Sequence, residues 1–186
     1  MKLIADRYEE ISRLVVYMYN RITIKQFPID CFDLCDQLNI VHIPYSQLTP
    51  EDAILFYDEL SKDGFSALIQ VSRDKDEWRI YYNDDMPKNR IRFTVMHEIG
   101  HVVLDHSQHS DLAEAEANYF ARYALAPPPL VHKLEIEDYT MLAERFNLSY
   151  QCAYYAMQAY MNWRQYGAPV FLDYELQLLD IFKKVA

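Results

Sequence analysis

The stretch Arg92-Phe93-Thr94-Val95-Met96-His97-Glu98-Ile99-Gly100-His101-Val102-Val103-Leu104 decides how this chain is read. It holds an H-E-x-x-H pattern within apolar residues that recur at helical spacing. On a helix turning about 100° per residue, His97 and His101 lie about 40° apart and one turn along the axis, so both imidazoles can reach one metal ion. Glu98 sits beside that face and is no ligand; its carboxylate is placed to take a proton from an attacking water and pass it to a leaving amine. Ile91, Val95 and Ile99 lie roughly opposite His97, flanked by Val102 and Val103, so the back of the helix is built for burial. Gly100, one of only three glycines, sits mid-helix at a cost of about 1 kcal/mol relative to alanine, which points to close approach by another segment.

Outward from this helix, residues 83–87 (Asn-Asp-Asp-Met-Pro) offer helix-start chemistry, with acids near the positive end and a proline for the first turn, and the helix is expected to run to about residue 105. Next comes Asp111-Leu-Ala-Glu-Ala-Glu-Ala-Asn-Tyr-Phe-Ala-Arg-Tyr-Ala-Leu-Ala, an alanine-rich helix stopped by Pro127-Pro128-Pro129. Glu114, Ala117, Asn118, Ala121 and Leu125 share a face, and its small residues would let it pack closely at Gly100. A hydrolytic zinc site usually takes three protein ligands and a water. Glu114 and Glu116 compete for the third place. Glu114 is preferred because it shares the small-residue face, whereas Glu116 points towards Tyr119, Phe120 and Tyr123. Asn118, one turn on, is expected to orient a ligand. His106 and His109 follow His101 at offsets of five and eight, neither of which is the six of a metzincin-type third histidine, and both are read as surface residues. His42 stands alone and is read as structural or exposed.

Upstream, residues 3–19 carry Leu3, Ile4, Tyr8, Ile11, Leu14, Val15 and Met18 at spacings of three and four, an amphipathic helix. Residues 31–38 form a second helix, and 40–44 a short strand ended by proline. Residues 45–62 read as a loop with one helical turn. Phe65, Ala67, Ile69 and Val71 alternate along one strand, residues 77–82 form another, and the polar 73–76 between them suits a hairpin turn. A small antiparallel sheet is therefore expected before the metal helix. Beyond residue 130 the chain reads as helical: 138–146, then 150–164 with Ser149 as N-cap, then 174–184. The pair around Ser149 has the outline of a helix-turn-helix, but residues 150–161 contain no lysine or arginine, so a packing or partner-binding role is preferred to DNA reading.

A chain of 186 residues suits one domain, or one with a small appendage. The division expected is a core at 1–129, including the N-terminal helix, and a helical region at 130–186. The 51% hydrophobic content is that of a globular protein, and the net charge of −10 argues against nucleic-acid or acidic-membrane partners. Cys31, Cys35 and Cys152 are odd in number and lack zinc-finger spacing, as expected of reduced thiols in the cytoplasm, with Cys31 and Cys35 on one helix face. Asp6, Arg7, Glu9, Glu10 and Arg13 interrupt any secretory apolar stretch near the start.

The run from Arg92 to His101, followed by Glu114-Ala115-Glu116-Ala117-Asn118-Tyr119-Phe120-Ala121 and a leucine-alanine-proline ending, resembles the ImmA/IrrE metallopeptidases. Both motifs occur in order, and the similarity covers about residues 29–163. The resemblance implies an α+β, zincin-like minimal metallopeptidase, with a small antiparallel sheet packed on helices and a C-terminal region like a helix-turn-helix. It implies a cytoplasmic, zinc-dependent endopeptidase cleaving a regulatory protein, commonly a helix-turn-helix repressor of a mobile element or stress response. His97 and His101 then match the zinc ligands, Glu98 the general base and Glu114 the glutamate ligand. An extended substrate could add to the strand at 77–82 or its partner. The rival expectation is a catalytically silent binding protein that sequesters a repressor or senses metal.

Overall fold

A computed structural model describes residues 3–51, 66–72, 77–167 and 170–183. In chain order the elements are α1 (Ala5–Asn20), α2 (Cys31–Gln37), β1 (Ile40–Pro44), a 3-10 turn (Tyr45–Gln47), β2 (Ser66–Ser72), β3 (Glu77–Tyr82), α3 (Lys88–Val103), α4 (Asp111–Leu125), α5 (Pro128–Lys133), α6 (Tyr139–Phe146), α7 (Tyr150–Tyr166) and α8 (Asp173–Phe182). The fold is α+β and mostly helical.

The sheet is mixed, which corrects the expectation of an antiparallel one. β2 and β3 pair antiparallel as the alternation predicts, but β1 lies on the other side of β3 and runs parallel to it. A short strand pattern says which residues pair well but not the direction of the neighbour, and the α2–β1 segment enters from the far edge. Ile80 of β3 pairs with His42 on one side and Leu68 on the other and is fully buried. β3 is thus the central strand, and an added substrate strand cannot pair with it. The 73–76 turn and the side chains expected to alternate from Phe65 to Val71 lie outside the described residues, as does most of the expected 45–62 loop.

α3 packs on α4 and against β2 and β3. Its buried face carries Val95, Met96 and Ile99, as the spacing dictates. The acids before it do not cap it: Asp84 accepts from the Ser46 amide at 3.0 Å, Pro87 is the cap residue, and the first turn holds no acid. Arg92 fixes the helix in place, donating to the carbonyls of Ile29, just before α2, and Phe146, at the end of α6.

Ser110 caps α4 through the Ala113 amide. At the other end of α4, the Ala124 carbonyl has no helical partner because residue 128 is proline, which lacks an N–H. The buried Tyr19 hydroxyl of α1 donates to it at 2.8 Å. Pro128 then begins α5, where the missing N–H costs nothing. Asn147 in the left-handed region (φ 51°) closes α6, and Ser149 caps α7 through the Cys152 amide. One buried apolar cluster runs from Ile11 and Val15 of α1 through Ile99 and Phe120 to Phe146, Leu178 and Phe182. Residues on either side of position 129 therefore share a core.

Candidate metal centre

Helical geometry sets His97 and His101 side by side on α3, with their Nε2 atoms 3.1 Å apart. α4 packs on α3 and brings the Glu114 carboxylate over them. One oxygen lies 3.3 Å from His97 Nε2 and the other 3.3 Å from His101 Nε2. These three residues form a group able to hold a metal ion. Ligands at zinc distances of about 2.0–2.1 Å in a tetrahedron lie about 3.3–3.4 Å from each other. With one atom taken from each residue the three lie within 4.8 Å of one another, close enough that a small shift of the Glu114 carboxylate would seat an ion, and the N,N,O donor set suits zinc.

The electrostatics match. Burial, first, and then the neighbouring His97 push the His101 imidazole down to about 4, so it is neutral near pH 7. A hydrogen bond from His97 is the largest influence on Glu114 and draws its carboxyl down to about 2. Neutral imidazole and ionised carboxylate are the forms that ligate. Glu98, on α3 beside His97, is 7% exposed.

The second glutamate has a different task. Glu116 is one of the few buried charged residues, and Arg7 of α1 grips it with two bonds of 2.7 Å, Nε to Oε1 and Nη2 to Oε2. That grip is the main reason its carboxyl stays below the usual range. Instead of facing Tyr119, Phe120 and Tyr123, Glu116 faces Arg7 and His106.

His106, expected at the surface, is instead brought against the site. Its side chain is only 11% exposed, with Nδ1 at 2.8 Å from His101 Nδ1 and Nε2 at 3.0 Å from Glu116 Oε2. The cause is the end of α3, which falls at Val103 rather than near residue 105. Asp105 adopts a left-handed conformation (φ 54°), the Asp105 amide bonds to the Val102 carbonyl, and the His106 amide bonds back to the His101 carbonyl at 3.0 Å. This Schellman-type ending folds residue 106 onto the turn that carries residue 101. His109 is a surface residue as expected, 83% exposed, with Nδ1 3.2 Å from Glu114 Oε1. Asn118 does not orient a ligand's side chain; its amide donates to the Glu114 backbone carbonyl at 2.7 Å. His42 leans on Phe32 near Asp36, away from the site.

Two histidines one helical turn apart, joined by a carboxylate from the next helix on an α+β scaffold, make a candidate metal site with the donor set that hydrolytic zinc centres use. The family model for the IrrE N-terminal-like domain of the M78 peptidases matches residues 43–158, and the chain belongs to that family. The match bears out the resemblance seen in the two motifs, and a metallopeptidase-type function follows from it. No curated protein matches the chain at a significant level. Among the described residues, no helix is long and apolar enough to cross a membrane.

Proposed function

We propose that the chain is a zinc-dependent endopeptidase acting in the cytoplasm on a regulatory protein, a helix-turn-helix transcriptional repressor of a mobile element or stress response. The observation that carries this reading is the convergence of His97, His101 and Glu114 at ligand-to-ligand spacing, next to a buried glutamate. His97, His101 and Glu114 would hold the ion, and imidazole with carboxylate suits zinc. Bound there, the ion would polarise the scissile carbonyl and acidify water.

The other steps belong to the chain. Glu98 takes the proton of the attacking water and returns it to the leaving amine. Glu98 is largely shielded from bulk water, which limits competition for that proton. With β3 central, the extended substrate would lie along its partner β2, the outer strand packed near α3. Residues 1–129 supply the catalytic part and 130–186 the helical region. In that region the α6–α7 pair, with the outline of a helix-turn-helix, would meet a protein rather than DNA. Tyr150, Tyr154, Tyr155 and Met161 are exposed along α7, whose one basic residue lies in its last turn.

The test is to express wild type and Glu98→Gln in cells and label new protein N-termini. A repressor fragment that accumulates only with wild type supports the reading. A full biological effect with Glu98→Gln, without new termini, would overturn it and favour sequestration of the repressor.

A further inference from the structure

The matched family region begins at residue 43, yet one side chain from before it reaches the metal cluster through two further residues. Arg7 donates twice to the Glu116 carboxylate at 2.7 Å. Glu116 lies 3.0 Å from His106 Nε2, and His106 Nδ1 lies 2.8 Å from His101 Nδ1. All four sit within a partly buried seam between α1, α4 and the end of α3.

The direction of every hydrogen bond in this series follows from its end. If His101 presents Nε2 to the metal, that atom is bare, and Nδ1 carries the proton. His101 Nδ1–H must then donate to His106 Nδ1, which acts as acceptor. The proton of a neutral His106 is therefore on Nε2, where it donates to Glu116, and Glu116 needs the Arg7 guanidinium to remain a fixed acceptor. His97 has no such support: its Nδ1 is buried without a hydrogen-bond partner among the described residues. Among the described residues, the ring orientation of the two-histidine pair is thus held from outside at His101.

We propose that Arg7, Glu116 and His106 are positioning residues for the metal centre, so that the N-terminal helix, outside the matched family region, completes it. The inference rests on the metal-site reading of His97, His101 and Glu114. Outer partners of ligating histidines commonly set metal affinity by about 10–100-fold. α1 is also docked independently of Arg7, by Ser12 and Tyr119 hydroxyls 2.8 Å apart and by the Tyr19 bond to Ala124. Loss of Arg7 should therefore leave the helix in place.

The experiment measures zinc affinity of the full chain by chelator competition for wild type, Arg7→Met, Arg7→Lys, His106→Ala and Glu116→Gln, alongside the melting temperature of each metal-free protein. Expected is a loss of about 10–100-fold in zinc affinity for Arg7→Met and His106→Ala, with Arg7→Lys between wild type and Met because it keeps the charge but not the two-pronged grip. Cobalt-loaded His106→Ala should also show a shifted visible band, which a purely structural role would not produce. Unchanged affinity in folded Arg7→Met and His106→Ala, with wild type binding tightly, would overturn this inference and leave the metal site standing. If wild type itself takes up no zinc, the metal-site reading fails and this inference with it. Should Arg7→Met not fold, His106→Ala decides alone, since that residue lies outside α1.

Discussion

Gly100 on α3 faces the ring of Phe120 on α4 so closely that a Cβ at Gly100 would lie 3.0 Å from Phe120 Cδ1 and 3.2 Å from its Cβ. Phe120 is fully buried, so its ring has little room to move. The pairing sets how near α4 comes to α3, and hence where Glu114 sits. Gly100→Ala gains about 1 kcal/mol of helix propensity and loses about 1–3 kcal/mol to overpacking. A net loss of about 0–2 kcal/mol is expected in denaturant unfolding. In a Phe120→Leu background the same change should cost less or turn favourable. An equal cost in both backgrounds would mean that the contact does not set the spacing.

Tyr19→Phe removes the donor to the Ala124 carbonyl, which Pro128 leaves without a helical partner. A buried acceptor left unpaired costs about 1–3 kcal/mol. The variant should unfold at correspondingly lower urea with an unchanged slope. A loss near zero would show that another group takes over the carbonyl.

Cys31, Cys35 and Cys152 are all buried and unpaired. Burial pushes the thiols of Cys31 and Cys152 up to about 11 and that of Cys35 still higher. The folded state therefore favours the neutral thiol, and the stability this gives is present below the unfolded value near 8.5 and lost as pH rises above it. Alkylation at pH 8 should be slow in native protein and quick at all three positions in denaturant. Rapid native labelling of any one would contradict the buried placement.

Much of this was legible in the chain. The His97–Glu98–His101 spacing, the helix from Asp111 and the face that turns Glu114 towards the two histidines follow from helical period, which is local. What failed was non-local or hidden in an irregular turn. His106 reads as a surface residue because its offset of five from His101 is not the six of a metzincin-type third histidine. A left-handed Asp105 reverses the chain instead. Glycine is the usual residue there and would have signalled the stop; aspartate tolerates that conformation without announcing it. The direction of β1 beside β3 and the approach of Phe120, rather than an alanine, to Gly100 depend on packing between distant segments. Arg7 reads only as one of several charges that interrupt an apolar stretch near the start, since nothing near it in sequence hints at Glu116.

Asp138 caps α6, accepting from the amides of Thr140 and Met141 and from the Thr140 hydroxyl. The Thr140 hydroxyl is the first cause that holds its carboxyl below the usual range. With the folded value depressed, the contribution of the ionised form is complete above the unfolded value near 3.9 and lost as pH falls through the folded one. Asn caps about as well as Asp and does not titrate. Wild type and Asp138→Asn should therefore have a constant stability difference above about pH 5 that shifts against wild type below about pH 4. Parallel acid limbs would contradict the assignment.

The most direct test of the central claim is metal content per chain, by mass spectrometry, on protein purified without chelator. It should be run for wild type, Glu114→Gln and Glu116→Gln. Near-stoichiometric zinc is expected in wild type, near-complete loss in Glu114→Gln, and partial retention in Glu116→Gln, where the ligands remain and only their support is weakened. Folded wild type that takes up no metal even when zinc is offered, or a Glu114→Gln variant as fully loaded as wild type, would contradict that claim.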